Sequence, residues 1–219
     1  MEFSQIIFIV LLIITIVLGV LYYFYYYKSD NNMSKYKIDI LKDEATFDEG
    51  YSQILNTNLL VKDRTGILIP NMGYGITFAW EMNIPNLAGN DKWKHNYNTL
   101  KPIISMGDSP VISYHPKKNY ISIILKYKNN PFYVQMAEIR FDDIKLQSWN
   151  KYIAIVDNRS VKLYINGTLM ATKFLPSIPM INDVNSEIEL GQTNNNFLGK
   201  VRNIVLYPYP LSFKEIMEA

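Results

Sequence analysis

Between Trp149 and Thr172 the chain reads W-N-K-Y-I-A-I-V-D-N-R-S-V-K-L-Y-I-N-G-T-L-M-A-T, and this stretch constrains the fold more than any other. Aromatic and β-branched residues dominate it, apolar positions alternate, and Asp157 to Ser160 break the run with turn-forming side chains. Such a pattern spells a β-hairpin followed by the start of a second one. Ile153, Ile155, Val161, Leu163 and Ile165 are expected to point inward at alternate positions. Asn166-Gly167 then supplies the two positive φ angles of a tight type I′ turn.

The same grammar extends upstream and downstream. Short β-rich runs occur at Ile67–Ile69, Gly75–Met82, Ile103–Met106, Val111–Tyr114, Tyr120–Tyr127 and Phe132–Met136. Others follow at Glu187–Leu190 and Gly199–Tyr207. Turn signals separate them at Asn71-Met72-Gly73, Gly107-Asp108-Ser109-Pro110, Lys128-Asn129-Asn130-Pro131 and Asn166-Gly167. Many short strands with no long helical period among them imply an all-β, antiparallel β-sandwich. Only the stretch from Ser212 to about Met217 reads as helix, with Ser212 as cap and Glu215 completing a capping box.

Three further segments, I-E-L-G-Q (Ile188 to Gln192), F-L-G-K-V-R-N-I-V-L-Y (Phe197 to Tyr207) and P-L-S-F-K-E-I (Pro210 to Ile216), follow the hairpin in order. Together with the Trp149 strand and the L-Y-I-N-G hairpin, they resemble the laminin-G-like branch of the concanavalin A-like lectin/glucanase superfamily. The resemblance covers roughly Phe47 to Ile216, and its specific part begins at Trp149. It implies a jelly roll of two facing antiparallel sheets, one of them concave. Each motif residue has a structural reading: Gly199 avoids crowding, Trp149 and Tyr164 are core or sheet-face aromatics, and Asn166-Gly167 is turn chemistry.

The N-terminus follows a different rule. Ile6 to Phe24 carries no charge and only Thr15 as a polar interruption, and it runs into Tyr22, Tyr23, Tyr25, Tyr26, Tyr27 and Lys28. About 20 apolar residues span the roughly 30 Å hydrocarbon core, and tyrosines favour the headgroup level. Residues 1–28 are therefore expected to be an uncleaved transmembrane anchor, with 6–27 in contact with the lipid bilayer. No basic region precedes the run and no small-residue cleavage site follows it, which argues against a signal peptide. Lys28, Lys35 and Lys37 follow the span while only Glu2 precedes it, which places the C-terminal domain on the cytoplasmic side. Sequons at Asn32, Asn158 and Asn166 would be glycosylated if the domain were lumenal. Residues 29–44 read as a polar linker and 45–219 as the sandwich.

Composition removes several kinds of chemistry. The 219-residue chain contains no cysteine, which excludes disulfides, thiolate metal sites and a thiol nucleophile. Its formal net charge of +2, with both signs interspersed, gives no electrostatic reason to expect nucleic acid as a partner. Lys, Ile and Asn are abundant, as in proteins of AT-rich genomes, a large DNA virus among them.

Some members of the resembled superfamily hydrolyse glycosides with alternating carboxylates on one strand. Glu138 and Asp142-Asp143 do not follow the alternating spacing, and Glu187 and Glu189 alternate without a third acid at the required spacing, so no catalytic residue is expected. His95 and His115 stand apart in loop-like contexts where a lone histidine faces solvent. No serine sits in a G-x-S-x-G setting.

The resemblance implies Ca²⁺ as the one cofactor to consider, held by rim carboxylates. Asp108 and Asp142 are the candidate ligands, with Asp157 also near a rim. A long polar loop from Asn83 to Pro102 carries Trp93, Lys94, His95 and Tyr97. Trp93 and Tyr97 are the candidate ligand platforms, with Asp108 as a polar neighbour.

The resulting expectation is a membrane-anchored, non-catalytic module recognising a glycan or protein through its rim loops or concave face. A structural protein linking a membrane to a surrounding shell, for example in the virion of a large DNA virus, is the alternative. A glycoside hydrolase is the remote one.

Overall fold

A computed structural model describes residues 12, 14–22, 37–48, 50–55, 75–85, 97–130, 133–181 and 187–218. Two units are distinct, Met1–Tyr36 and Lys37–Ala219. In the first, residues 12 and 14–22 are helical, and the aliphatic side chains from Leu12 to Leu21 given for it are exposed. Among the described residues no helix is long and apolar enough to cross a membrane. The rest of the expected span, and Asn32, lie outside the described residues.

The second unit is an all-β sandwich of two seven-stranded antiparallel sheets. Its strands are β1 (Ile38–Leu41), β2 (Ala45–Phe47), β3 (Ser52–Leu55), β4 (Gly75–Asn83), β5 (Lys101–Met106), β6 (Val111–His115) and β7 (Tyr120–Asn130). They continue with β8 (Tyr133–Phe141), β9 (Asn150–Asp157), β10 (Ser160–Ile165), β11 (Thr168–Phe174), β12 (Pro179–Met180), β13 (Ile188–Gly191) and β14 (Gly199–Tyr207). The first sheet has the order β1-β14-β4-β9-β10-β11, with β2 sharing the β1 side of β14. In the second, β5 pairs β6 and β13, β13 pairs β3, and β6 and β12 lie one after the other along one edge of β7. Strand β8 occupies the other edge of β7: Ile124 pairs with both Val111 and Glu138, and Lys126 with both Met180 and Met136.

The core lies between the sheets. Trp80, Tyr114, Tyr152, Phe47, Phe78, Phe141 and Phe197 are its largest side chains, each no more than 2% exposed. Removing such surface from water at roughly 25 cal/mol per Å² is the main force holding the sheets face to face. A second, smaller core forms on the outer face of the first sheet. There Leu211 and Ile216, at and within the C-terminal helix (Phe213–Glu218), cover Ala79, Ile153, Ile155 and Tyr164. The helix starts as its sequence demands: the Ser212 N–H donates to Glu215 Oε2 at 2.8 Å, and the Glu215 N–H donates to Ser212 Oγ at 3.4 Å.

That second core corrects the expected facing of β9. Tyr152, Ala154 and Val156 face the inter-sheet core, whereas Ile153 and Ile155 lie under the C-terminal segment. Both faces of β9 are buried, so apolar alternation carries no signal there. Val161 and Leu163 point inward as expected, opposite Val156 and Ala154, and Ile165 packs against the same core. The Asn166-Gly167 turn has φ of +51° and +78°, the type I′ signature. The domain also begins earlier than expected. Strand β1 lies within the stretch read as a polar linker, pairs with β14, and buries Ile38 and Ile40 at alternate positions. Averaging polarity over that stretch hid the two-residue period. The expected strand Ile67–Ile69 lies outside the described residues.

Two glycines of the family-like motifs have tight surroundings. Gly191 adopts φ +70°, and a Cβ there would meet Asn196 Oδ1 at 2.6 Å. A Cβ on Gly199 would meet the Asn83 carbonyl at 2.8 Å and collide with the Phe197 ring. Both glycines permit close approach of neighbouring chain, and the second helps shape the site described next.

Candidate functional site

At one rim of the sandwich, β14 begins between β2 and β4, with Lys200 opposite both Thr46 and Asn83. The three strands frame a crevice of about 340 Å³. Leu198 and Pro85 contribute its apolar lining, Thr46, Asp48, Asn83 and Lys200 its polar groups, and Phe47 and Gly199 complete it. Phe47 is fully buried, stacked on Tyr51 at 4.4 Å and edge-on to Phe197 at 5.3 Å, so the floor is anchored in the core.

Asn196 fixes one wall. Its amide nitrogen donates to the carbonyls of Asp48 and Tyr51, the latter at 2.6 Å, and its Oδ1 accepts from Gln192 N–H at 2.7 Å. Asp48 Oδ1 accepts from Gly50 N–H at 3.2 Å, which shapes the chain after β2 as an Asx turn. Lys200 is held by Glu44 at 2.6 Å. The second carboxylate oxygen of Asp48, the Asn83 carboxamide and the Thr46 hydroxyl have no side-chain hydrogen bond among the described residues. They supply acceptor, donor and mixed capacity around an apolar floor.

The outer face of the second sheet holds a second polar cluster. Glu138 accepts from Tyr120 Oη at 3.2 Å, from Ser122 Oγ at 3.1 Å and from Arg140 at 2.5 Å. The Arg140 guanidinium also lies 5.1 Å from the Tyr120 ring centroid. The Arg140 hydrogen bond holds the Glu138 carboxyl below the usual carboxylate range, with Ser122 and Tyr120 assisting against the opposing effect of burial. An acid kept ionised in this way is the opposite of the proton donor a glycosidase needs. Asp142 is exposed beyond the end of β8.

His115 belongs to this cluster and not to a solvent-facing loop. It ends β6, is 5% exposed, packs its ring 4.9 Å from that of Tyr120, and accepts at Nδ1 from Lys118 N–H at 3.3 Å. Burial lowers its pKa, with Lys118 and Arg140 adding to the effect. His115 ends β6 directly opposite Tyr120, the first residue of β7, so the hairpin sets the two rings side by side.

Of the residues singled out in the sequence for ligand binding, Tyr97 and Asp108 are described and lie apart. Trp93, Lys94 and His95 lie outside the described residues. Tyr97 is half-buried against the inter-sheet core, and its carbonyl accepts from Lys117 N–H at 3.3 Å, just beyond β6. Asp108 lies in the turn before β6 and pairs with Lys126. Five residues of strand separate these two ends, about 17 Å at 3.3 Å per residue. The same reasoning applies to calcium. Asp108 is tied to Lys126 and Asp142 follows Phe141, which pairs with Ile121, so the two acids are about 17 Å apart along β7. One ion does not fit both, and among the described residues no group of three or more His, Asp or Glu is placed to hold a metal. Asp157 contacts Lys162 at 3.8 Å. Of the sequons, Asn158 donates to Asp157, and Asn166 donates to Asn150 at 3.0 Å across the hairpin end.

The crevice residues escaped the sequence reading because nothing in their spacing links them. Asn83 and Lys200 are neighbours only through the pairing of β4 with β14. The F-L-G-K motif is the one local signal at this place, because its Gly199 permits the close approach of β4.

No curated protein matches the chain in sequence. Among solved structures it is similar to the receptor binding domain of botulinum neurotoxin C/D mosaic serotype, with a TM-score of 0.58 and 16% identity over 83% of this chain and 43% of that one. It is also similar to the botulinum neurotoxin serotype D ligand binding domain in complex with N-acetylneuraminic acid, with a TM-score of 0.55 and 15% identity over 83% and 42%. A third is the binding domain of Paraclostridial Mosquitocidal Protein 1, with a TM-score of 0.52 and 16% identity over 81% and 46%. The chain spans less than half the length of each of these structures. A family profile of laminin-G type, described as concanavalin A-like lectin/glucanases superfamily, matches residues 77–217. With two facing antiparallel sheets and a match across most of its length, the chain belongs to the concanavalin A-like lectin/glucanases superfamily.

Proposed function

We propose that the chain is a membrane-tethered, non-catalytic recognition module that binds a glycan in the crevice between β2, β4 and β14. The observation that carries this reading is the set of free polar groups on Thr46, Asp48 and Asn83 around an apolar lining from Pro85 and Leu198. A sugar ring offers the same combination, a C–H face and a fringe of hydroxyls. Asp48 accepts from hydroxyls, Asn83 both accepts and donates, and the Lys200 ammonium, paired with Glu44, donates to further oxygens at the rim. A volume of about 340 Å³ is at the small end of ligand pockets, which run from about 300 to 1,000 Å³. That suits a terminal sugar unit over a long chain.

Two similar structures lend support at the level of fold. One is described as bound to N-acetylneuraminic acid, and another by the dependence of botulinum neurotoxin type C on two ganglioside molecules. Tethering is supported by the charge-free run from Ile6 to Phe24 and by the exposed aliphatic side chains of the helical residues within it. The lysines that follow favour a cytoplasmic-side domain, with a virion membrane as one setting.

The test is a glycan array probed with the full chain in detergent, with and without chelator. Binding that is lost in Asp48→Ala and Asn83→Ala, and kept in Asp108→Ala, supports the crevice. Silence from a folded chain, or binding that only Asp108→Ala abolishes, removes it.

A further inference from the structure

The outer face of the first sheet holds a pocket of about 220 Å³ that shares no lining residue with the crevice. Two irregularities of strand pairing open it. Strand β14 takes three steps from Arg202 to Val205 while β4 takes two from Glu81 to Ala79, and Asn203 bulges there with φ +52°. Strand β1 carries an extra residue against the same stretch, because Asp39 pairs with Val205 and Leu41 with Ile204. Such bulges bend a strand and re-aim its side chains. At the floor Ala79 and Val205 stand side by side, and the small Ala79 leaves room that a longer side chain would fill. Tyr207, packed against the second core, closes one side.

The polar lining is rich in cations. Lys37 and Lys42 lie 3.9 and 3.4 Å from a single carboxylate, that of Asp39. Two residues along β4 from Ala79, Glu81 stands in the ladder between Lys151 of β9 and Arg202 of β14. Its Oε2 accepts from Arg202 Nε and its Oε1 from Asn203 Nδ2, each at 2.8 Å, so both oxygens are engaged. The Arg202 guanidinium is in turn held over the Trp149 ring, 4.2 Å from its centroid. Among the described residues, four cations therefore stand against two carboxylates in and beside the pocket. The whole sequence has a formal net charge of +2, so this one place holds as much excess charge as the entire chain.

We propose that this pocket is a binding site for a phosphomonoester, whose phosphoryl oxygens sit over Ala79 and Val205 and accept from Lys37, Lys42 and Lys151. A phosphomonoester carries about −1.5 to −2 charges at pH 7 and three strong acceptor oxygens, which matches both the charge excess and the ammonium donors. A carboxylate or a sulfate monoester brings a single charge and leaves one cation uncompensated. Lys151 approaches from β9 and the other two lysines from the β1 side, three strands away in the order β1-β14-β4-β9. That separation is about 14 Å at roughly 4.8 Å per strand, and long, flexible lysine side chains close over a group held between them. Burial raises the pKa of Tyr207, so its hydroxyl stays protonated and adds a neutral donor to the lining. A soluble phosphomonoester and a lipid headgroup share this chemistry. The inference is independent of the glycan reading and uses none of its residues.

The probe is glycerol 3-phosphate, titrated by calorimetry into the full chain in detergent. The expected result is saturable binding that weakens about tenfold in Lys37→Gln combined with Lys42→Gln, and about tenfold in Lys151→Gln. Asp39→Asn enlarges the charge excess and is expected to tighten binding, the opposite sign from a loss of structure. Lys117→Gln, exposed on the turn after β6 in the other sheet, is the control and is expected to bind as the native chain does. Dioctanoyl phosphatidic acid separates the sources. Tighter binding than glycerol 3-phosphate, with the same variant pattern, assigns the site to a lipid headgroup, and equal or weaker binding assigns it to a soluble ester. No saturable binding of either probe overturns the proposal. So does methyl sulfate or dioctanoyl phosphatidylserine binding as tightly as its phosphomonoester counterpart, weaker binding in Asp39→Asn, or an equal loss in Lys117→Gln.

Discussion

Trp80 and Tyr152 face each other across β4 and β9 with their rings stacked 5.4 Å apart at 16°, both fully buried, and among the described residues neither Trp80 Nε1 nor Tyr152 Oη has a hydrogen-bond partner. The pair contributes stacking and buried area at the centre of the core, and its polar atoms contribute nothing in return. Removing the hydroxyl and keeping the ring is therefore expected to be harmless. Tyr152→Phe should leave stability unchanged or raise it, because a buried unpaired hydroxyl costs about 1–3 kcal/mol. Tyr152→Ala should cost about 3–5 kcal/mol by opening a cavity. Urea unfolding of the two variants checks both, and a large loss in Tyr152→Phe would reveal a partner for the hydroxyl.

Lys101 starts β5 with 1% exposure, and its ammonium donates to Asn195 Oδ1 at 2.8 Å. Burial lowers its pKa from the usual 10.5. The folded state thus binds this proton more weakly than the unfolded one, so stability should rise with pH from the depressed value up to about 10.5. Above pH 10 the trend should reverse, because burial raises the pKa values of Tyr114 and Tyr152 above the usual 10.0 and their ionisation favours unfolding. Lys101→Met should flatten the rise between pH 7 and pH 10. Chemical denaturation midpoints across that range test it, and an unchanged slope would refute the assignment.

On the acid side two groups act in sequence. Burial depresses His115, so the stability it contributes is present above its usual 6.5 and is lost as pH falls through that value toward the depressed one. Glu138, depressed chiefly by Arg140, follows below its usual 4.5. His115→Gln should remove the first step and Glu138→Gln the second. Thermal melts between pH 7 and pH 3 would separate them, and a single undivided loss in all variants would count against the cluster.

Asn196 ties the chain after β2 to the loop before β14 through two carbonyls and one amide. Asn196→Ala removes three hydrogen bonds from part-buried backbone groups and should cost about 1 kcal/mol or more. Because Asp48 is one of the anchored residues, glycan affinity should fall as well. Gly191→Ala should cost more than an ordinary surface change, since φ is +70° and Asn196 Oδ1 occupies the space its Cβ needs. A fluorescence-monitored melt and a binding titration read the two effects separately.

The C-terminal helix offers the mildest test. Ser212→Ala breaks the reciprocal cap with Glu215 and should cost about 0.5–2 kcal/mol. Ile216→Ala uncovers Ile153 and Ile155 and should cost about 2–5 kcal/mol. A larger loss from the cap than from the core residue would invert the roles assigned here.

What the sequence determined by itself is local and repetitive. The β-branched and aromatic runs around Asn166-Gly167 and the Ser212/Glu215 cap are short-range signals, set by sterics and hydrogen bonds within a few residues. They were enough for an all-β sandwich of this superfamily. What the tertiary structure decided concerns faces and neighbours. Ile153 and Ile155 face outward because a helix some sixty residues later covers them, so both parities of β9 are apolar and the period is mute. His115 is buried because its partner in the ladder is Tyr120 and because β8 brings Glu138 and Arg140 alongside that ring. Thr46, Asp48, Asn83 and Lys200 share a crevice because β14 enters between β2 and β4. Strand pairing is a long-range contact, chosen by the free energy of the whole core, and no local pattern carries it.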